Sequence, residues 1–385
     1  MAKILHVVEY TKGGVETHLN EVLRYQRDRH DIYLIASEHN SNPDTLQINR
    51  ERLTLYPYRR KPKYMLAAIF KIRRAIRQLQ PDIVHVHGTF AGVFARMTML
   101  GWRKRPVTIY CSHGWAFLMD TSAWKKRAYG YVERMLSGAT DAIINISNNE
   151  YETSLRYKLP ERKSVVIYNG VSDGKGPGQV EPVKVKADKV NLLFIGRFDR
   201  QKGFDLLLNT FHRHGLHHIH LMLVGGSVLQ DEQTHNFPPN ATHYGWVDNK
   251  EIDRYIHSAD AVIVPSRWEG FGIVAIEALR SGKPVIVSNR GALKEIIQPG
   301  VNGYVFDFDQ PEELYGILKD LSKEQLGSMH DRCLASFAER FHASVMNEKI
   351  EEVYVKSLEY RGNRTAVINT SAPVAHRKVG DQHGG

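Results

Sequence analysis

VNLLFIGRFDRQKGFDLLLNTF (residues 190–211) runs from a β-branched, apolar strand through a glycine and a charged turn into an amphipathic helix. Strand, short turn and helix in that order form half of a parallel βαβ unit, and the same alternation recurs along the chain. Before it come KILHVV, DIYLIA, DIVHVH, VTIYC, DAIINI and SVVIY; after it come IHLMLVG, DAVIVP, PVIVS and GYVFDF, with helical patterns between. Between the two sets lies GKGPGQVEPVKVK (174–186), rich in Gly, Pro and Lys, which reads as an interdomain linker. The expected organisation is therefore two Rossmann-like, doubly wound α/β domains, residues 1–178 and 179–360. Helices run from Glu312 to Tyr360, and residues 361–385 form a non-periodic, disordered tail.

Composition agrees with two packed cores. The 385 residues contain 42% hydrophobic and 24% charged side chains, near globular averages, and ~150 residues per domain gives the same count. The two cysteines, Cys111 and Cys333, are too few and too far apart for a disulfide framework, which fits a reducing compartment. An apolar run ended by Glu9 is too short for a signal h-region, and no stretch reaches the ~18 apolar residues of a spanning helix. A cytoplasmic protein is expected. The net charge of +10 is uneven, with residues 1–178 carrying 28 Lys and Arg against 16 Asp and Glu.

In open α/β sheets ligands bind outside the carboxyl ends of the strands, where helix N-termini present free N–H groups. The turn after VNLLFIG carries Gly196, Arg197 and Lys202, two cations able to close on one diphosphate and offset leaving-group charge. The strand DAVIVP leads into Ser266-Arg267-Trp268-Glu269-Gly270-Phe271-Gly272-Ile273-Val274-Ala275-Ile276-Glu277. There the glycines admit a ligand close to the backbone, and a helix beginning near Ile273 aims its amides, with that of Val274, at phosphate. Glu269 on the loop is placed for sugar hydroxyls, and Glu277 one turn into the helix for ribose. Gly13 and Gly14 follow the first strand and put flexible backbone at the cleft. His113 ends the strand VTIYC. His85 and His87 alternate on DIVHVH, one expected to face the cleft and the other the helices. The histidines at 212, 214, 217, 218 and 220 straddle a helix end and a strand start, so they are not expected to converge on a metal.

These motifs, GRFDRQKGFD (196–205), EGFGIVAIE (269–277) and SGKPVIVSNRGALKEII (281–297), with GGVETH (13–18), HVHGTF (85–90), SHG (112–114) and IYNGV (167–171), resemble the retaining glycosyltransferases of family 4, of GT-B fold. The resemblance covers nearly the whole folded chain. It implies a central cleft between two domains, an N-terminal acceptor half and a C-terminal nucleotide-sugar half. It implies that Arg197 and Lys202 contact the donor diphosphate, that Glu269 and the amides of Gly270, Phe271 and Gly272 contact the sugar, and that Glu277 holds the ribose. His113 matches a histidine near the transferred sugar's hydroxyls. It also implies departure and attack on one face of the sugar with no covalent nucleophile.

The catalytic set expected is Glu269, His113, Arg197 and Lys202. No cofactor or metal is expected, since Arg197, Lys202 and the helix N-terminus are placed to do what a divalent metal does elsewhere. The expected partners are a UDP- or GDP-hexose, a glycan or lipid-linked acceptor of cell-surface polysaccharide synthesis, and an anionic membrane surface. That surface meets the basic half at helix 63–77, Trp102 to Arg105 and Trp124 to Arg127, peripherally on the inner face of the membrane. Nucleic acid is not expected because no recognition motif appears. A nucleotide-dependent oxidoreductase is disfavoured by the lack of GxGxxG after the first strand. A phosphorylase or epimerase of the same fold is the competing activity.

Overall fold

The computed structural model describes residues 1–59, 61–227 and 236–362. The expected tail, from residue 363 onward, lies outside them, while Arg361 and Gly362 still belong to the last helix. The first sheet contains β1 (Lys3–Val8), β2 (Asp31–Ser37), β3 (Leu53–Tyr56), β4 (Ile83–His87), β5 (Val107–Cys111), β6 (Ala142–Asn145) and β7 (Ser164–Val166). The second contains β8 (Val190–Arg197), β9 (Ile219–Gly226), β10 (Ala241–Gly245), β11 (Ala261–Val264), β12 (Val285–Ser288) and β13 (Gly303–Phe306). Every strand pairing within them is parallel, in the orders β3-β2-β1-β4-β5-β6-β7 and β10-β9-β8-β11-β12-β13.

The connecting helices of the first lobe are α1 (Gly14–Gln26), α2 (Pro62–Leu79), α3 (Thr89–Met99), α4 (Ala123–Leu136) and α5 (Asn148–Arg156). Those of the second are α6 (Phe204–His214), α7 (Ile252–Ser258), α8 (Ile273–Arg280) and α9 (Leu293–Ile296). A run of α10 (Pro311–Lys319), α11 (Lys323–Gly327), α12 (His330–Arg340) and α13 (Ala343–Gly362) ends the described chain. Central strands such as IVHVH and VTIYC are buried at every position, as both-face coverage by helices requires.

The strand order reverses between β1 and β4 in the first sheet and between β8 and β11 in the second. Helices leaving neighbouring strands on opposite faces open a crevice at such a point. The turn after β8, with Arg197 and Lys202, and the loop after β11, with Glu269, therefore stand side by side. So do the Gly13-Gly14 turn after β1 and the end of β4.

Helix α13 follows the second lobe in sequence but packs on the first. The Tyr354 hydroxyl lies 2.6 Å from His85 Nδ1 in β4, and Gln26 Nε2 of α1 donates to the same hydroxyl at 3.2 Å. Further ties cross between lobes. Glu295 accepts the amide hydrogens of Asn148 and Asn149, at 2.8 and 2.7 Å, and so caps α5 of the first lobe from α9 of the second. Arg280 donates to the Ser172 carbonyl at 3.0 Å.

Within the first lobe the Arg96 guanidinium reaches Glu133 at 2.6 Å and lies 3.7 Å over the ring of Tyr110, with both charged side chains almost wholly buried. Removing one partner strands a buried charge. Glu133→Ala is expected to cost about 3–5 kcal/mol in urea unfolding; a loss below about 1 kcal/mol would show that the pair is solvated in the folded protein.

Candidate functional site

The second-lobe half of the site depends on glycines that no other residue can replace. Gly203 sits at φ +68°, and a Cβ there would lie 1.8 Å from the Pro265 carbonyl oxygen. This contact presses the β8–α6 turn against the end of β11 and brings the Lys202 amine 2.5 Å from Glu269. Ser266, fully buried, adds a hydroxyl that donates to the same carboxylate at 3.3 Å. The Asp199 carboxylate accepts the Lys202 amide hydrogen at 2.9 Å and shapes the turn. Arg197 is turned toward its own loop, donating to Gln201 at 2.6 Å and pairing with Asp199 at 3.2 Å, with a side chain 42% exposed.

Glu269 is followed by a tight approach of backbones. Gly272 adopts φ +101° as the residue before α8, which directs the free amides of Ile273 and Val274 at the crevice. Gly291 packs so closely on Glu269 that a Cβ there would lie 2.2 Å from the Glu269 carbonyl oxygen. Phe271 is buried against Tyr168 and Phe341, so its backbone rather than its ring is offered to a ligand. Glu277 lies one turn into α8. Burial raises its carboxyl to about 7, opposed by Arg280 and reinforced by Asp253 and by Glu21 from the first lobe.

From the first lobe, Gly14 faces the start of α8, with 3.2 Å between its Cβ position and Ile273 Cγ1. Across the crevice a Cβ on Gly270 would lie 3.6 Å from the His113 carbonyl oxygen. The structure thus brings Gly14, His113, Gly270, Ile273, Lys202 and Glu269 to one crevice. His113 occupies the left-handed region at φ +53°, which is uncommon for a side-chain-bearing residue. Its Nε2 is 3.0 Å from His87 Nδ1, and its imidazole is held well below the ordinary histidine range by burial and by His18. Glu150, raised to about 7 by burial, supports this loop by accepting from the Ser112 hydroxyl at 3.4 Å and the Ile146 amide at 3.1 Å.

His85 and His87 do not divide between cleft and helices. Residues two apart in a strand share a face, and their ring centroids are 4.1 Å apart beneath α1 and α13. The histidines between 212 and 220 also part company: His212 meets the Asn236 carbonyl, His214 stacks on Tyr315, His218 meets the Leu318 carbonyl and His220 meets Asn191 and Thr242. Among the described residues, the close groups of metal-ligand type are instead His6, His85 and His87, and His18, Cys111 and His113. Sequence reasoning also passed over Ser266, Gln201 and Trp246. Trp246 is 61% exposed, with its indole nitrogen 2.8 Å from the Cβ position of Gly226 at the end of β9. An isolated tryptophan after a strand-end glycine was the available signal.

Residues 12–175 match the family described as Glycosyltransferase Family 4, and residues 179–336 match Glycosyl transferases group 1. A 41.2 kDa protein in the cps region of Klebsiella pneumoniae, itself uncharacterized, is 33% identical over 362 residues, covering 91% of this chain and 99% of that protein. The chain belongs to glycosyltransferase family 4. It is a retaining enzyme of the hexosyltransferase class with a GT-B fold. The crystal structure of Anabaena HepE in complex with UDP and glucose superposes with a TM-score of 0.75 at 19% identity, over 92% of this chain and all of that one. The UDP-Gal:alpha-D-GlcNAc-diphosphoundecaprenol alpha-1,3-galactosyltransferase of Escherichia coli is 21% identical over 92% of this chain and 96% of that enzyme.

The folded chain holds the Glu277 proton more tightly than the unfolded chain does. Folding therefore loses stability as pH rises from the ordinary carboxylate value of 4.5 through about 7. Glu277→Gln removes this loss. Its melting temperature is expected to exceed that of the parent by about 2 °C or more near pH 8 and to match it near pH 4.5, by calorimetry at both values. An equal difference at the two pH values would contradict the raised carboxyl.

Proposed function

We propose that this glycosyltransferase moves a hexose, with retention, from a nucleoside-diphosphate sugar to a lipid-linked or glycan acceptor of cell-surface polysaccharide synthesis. The observation that carries the reading is the meeting of Lys202 and Glu269 at 2.5 Å where the second sheet's strand order reverses, in front of the α8 amides. A diphosphate entering there takes the Lys202 ammonium, the Arg197 guanidinium and the amides of Ile273 and Val274. Charge on the leaving phosphate is then met by groups already in place. Glu269 orients the hexose and supports positive charge at its reacting carbon, Glu277 takes the ribose hydroxyls, and Trp246 offers a face to the base. The UDP and glucose bound to HepE and the UDP-Gal donor of the Escherichia coli relative favour UDP over GDP.

For the acceptor, a cavity of about 520 Å3 lies at the carboxyl ends of β1 and β2 and beyond β3, lined by Tyr10, His39, Asn40 and Arg59. Beside it, α2 buries Ala68, Ile72 and Ile76 on the sheet and turns Leu66 and Phe70 outward among Lys63, Lys71, Arg73, Arg74 and Arg77. Helix α4, in the same layer, exposes Trp124, Tyr131 and Met135 beside Lys125, Arg127 and Arg134. Apolar side chains among cations suit the interface of an anionic bilayer, which presents a lipid-linked acceptor to the crevice. No helix among the described residues is long and apolar enough to cross a membrane.

A donor panel with a polyprenyl-diphosphate sugar acceptor tests the activity. Nucleoside diphosphate is expected to appear only with acceptor present, and turnover to persist in EDTA. Lys202→Ala and Glu269→Ala are each expected to lower kcat/KM by about 10²-fold or more with unchanged circular dichroism. Full activity in either variant would remove that residue from the site.

The membrane face has a separate test. Replacing Phe70 and Trp124 by Ser is expected to lower co-sedimentation with phosphatidylglycerol vesicles by about tenfold while leaving nucleotide binding intact. Unchanged sedimentation, or equal retention on duplex DNA, would contradict it.

A further inference from the structure

His113, which the family resemblance puts near the transferred sugar's hydroxyls, has three buried side chains behind it. From the crevice inward, His113 Nε2 lies 3.0 Å from His87 Nδ1, His87 Nε2 lies 3.1 Å from His6 Nδ1, and His6 Nε2 lies 2.9 Å from Gln26 Oε1. Gln26 Nε2 then reaches Glu351 Oε1 at 3.3 Å and the Tyr354 hydroxyl at 3.2 Å, both on α13. His6 and His87 are fully buried, and each uses both of its ring nitrogens in the chain. We propose that Glu351 and Gln26 are positioning residues that fix the tautomer of His113 through His6 and His87.

The direction follows from what each atom can do. A carboxylate only accepts, so Glu351 draws the Gln26 amide nitrogen and turns Gln26 Oε1 toward His6. An amide oxygen also only accepts, so His6 carries its hydrogen on Nε2 and leaves Nδ1 bare. His87 must then donate from Nε2 and accept at Nδ1, and His113 must donate from Nε2. The ring of His113 is left with a lone pair at Nδ1, 3.7 Å from the Cys111 sulfur. Burial keeps the three rings neutral, and a second hydrogen on His6 or His87 would also set N–H against N–H. The Gln26 amide does not pass a proton onward, so the chain sets orientation and is no proton exit. In this tautomer Nδ1 is the one ring nitrogen of His113 able to accept a hydrogen bond, from the Cys111 thiol or from a hydroxyl, and the ring has no hydrogen left to donate to a ligand.

This inference rests on the place given to His113 beside the transferred sugar, and the test separates the two claims. Long-range proton–nitrogen NMR of the full chain labelled with 15N-histidine, assigned with single His→Asn variants, reads each tautomer directly. His6, His87 and His113 are each expected to show hydrogen on Nε2 near neutral pH. Glu351→Gln lets the Gln26 amide turn over, and His113 is expected to populate the Nδ1–H form; Glu351→Asp, which keeps the carboxylate, is expected to restore the parent spectrum. With the shift, kcat is expected to fall by about tenfold while the donor KM changes less than twofold. A tautomer switch at unchanged kcat would support the relay and take His113 away from the reacting sugar. A parent protein with hydrogen on His113 Nδ1, or a Glu351→Gln spectrum identical to the parent's, would overturn the relay.

Discussion

Everything in the second lobe's crevice is arranged around the ion pair between Lys202 and Glu269. A lysine and a glutamate on loops 67 residues apart meet at 2.5 Å because strands β8 and β11 are neighbours and because Gly203 lets their loops touch. The pair is mostly screened from water, with side chains 24% and 13% exposed, so neither charge could be left alone there cheaply. On the proposed reading, a diphosphate sugar satisfies both partners at once, phosphate on the amine and hydroxyls on the carboxylate. Binding is then an exchange of partners in a site already formed, which favours the charge distribution of the departing diphosphate without reorganisation.

The first lobe is fastened to that crevice by contacts far apart in sequence. Glu295 caps α5 across the lobes, and α13 returns from the second lobe to lie against β4, β5 and α1. This return places Glu351 and Tyr354 under the histidines of the first sheet. The buried support behind His113 is accordingly made by side chains from both ends of the chain.

Much of this was legible in the sequence, and the exceptions have physical causes. The central strands announced themselves as continuous apolar runs because both faces are covered. Strands β3 and β10 did not, because each is an edge strand with exposed residues such as Thr54 and His243, and hydrophobic patterning fades at an edge. The positions of the β8–α6 turn, the glutamate pair and Gly14 were readable because each follows a strand with glycines at fixed offsets. The histidine chain was not. It requires the parallel register that sets His6 beside His85 and His87 beside Cys111, and register between strands separated by a whole helix is not written in either strand alone. The packing of α13 on the first lobe was hidden for the same reason, since apolar residues four apart, Met346, Ile350 and Tyr354, show that it has a buried face but not which lobe covers it.

The central claim concerns where the donor sits, and a crystal soaked with a nucleotide sugar addresses it most directly. The account predicts density between the lobes, with the diphosphate within ~3 Å of Lys202 Nζ and the amides of Ile273 and Val274, the hexose against Glu269 and the ribose against Glu277. Density for the nucleotide sugar outside the crevice, or inside it with the diphosphate turned away from Lys202, would contradict the account.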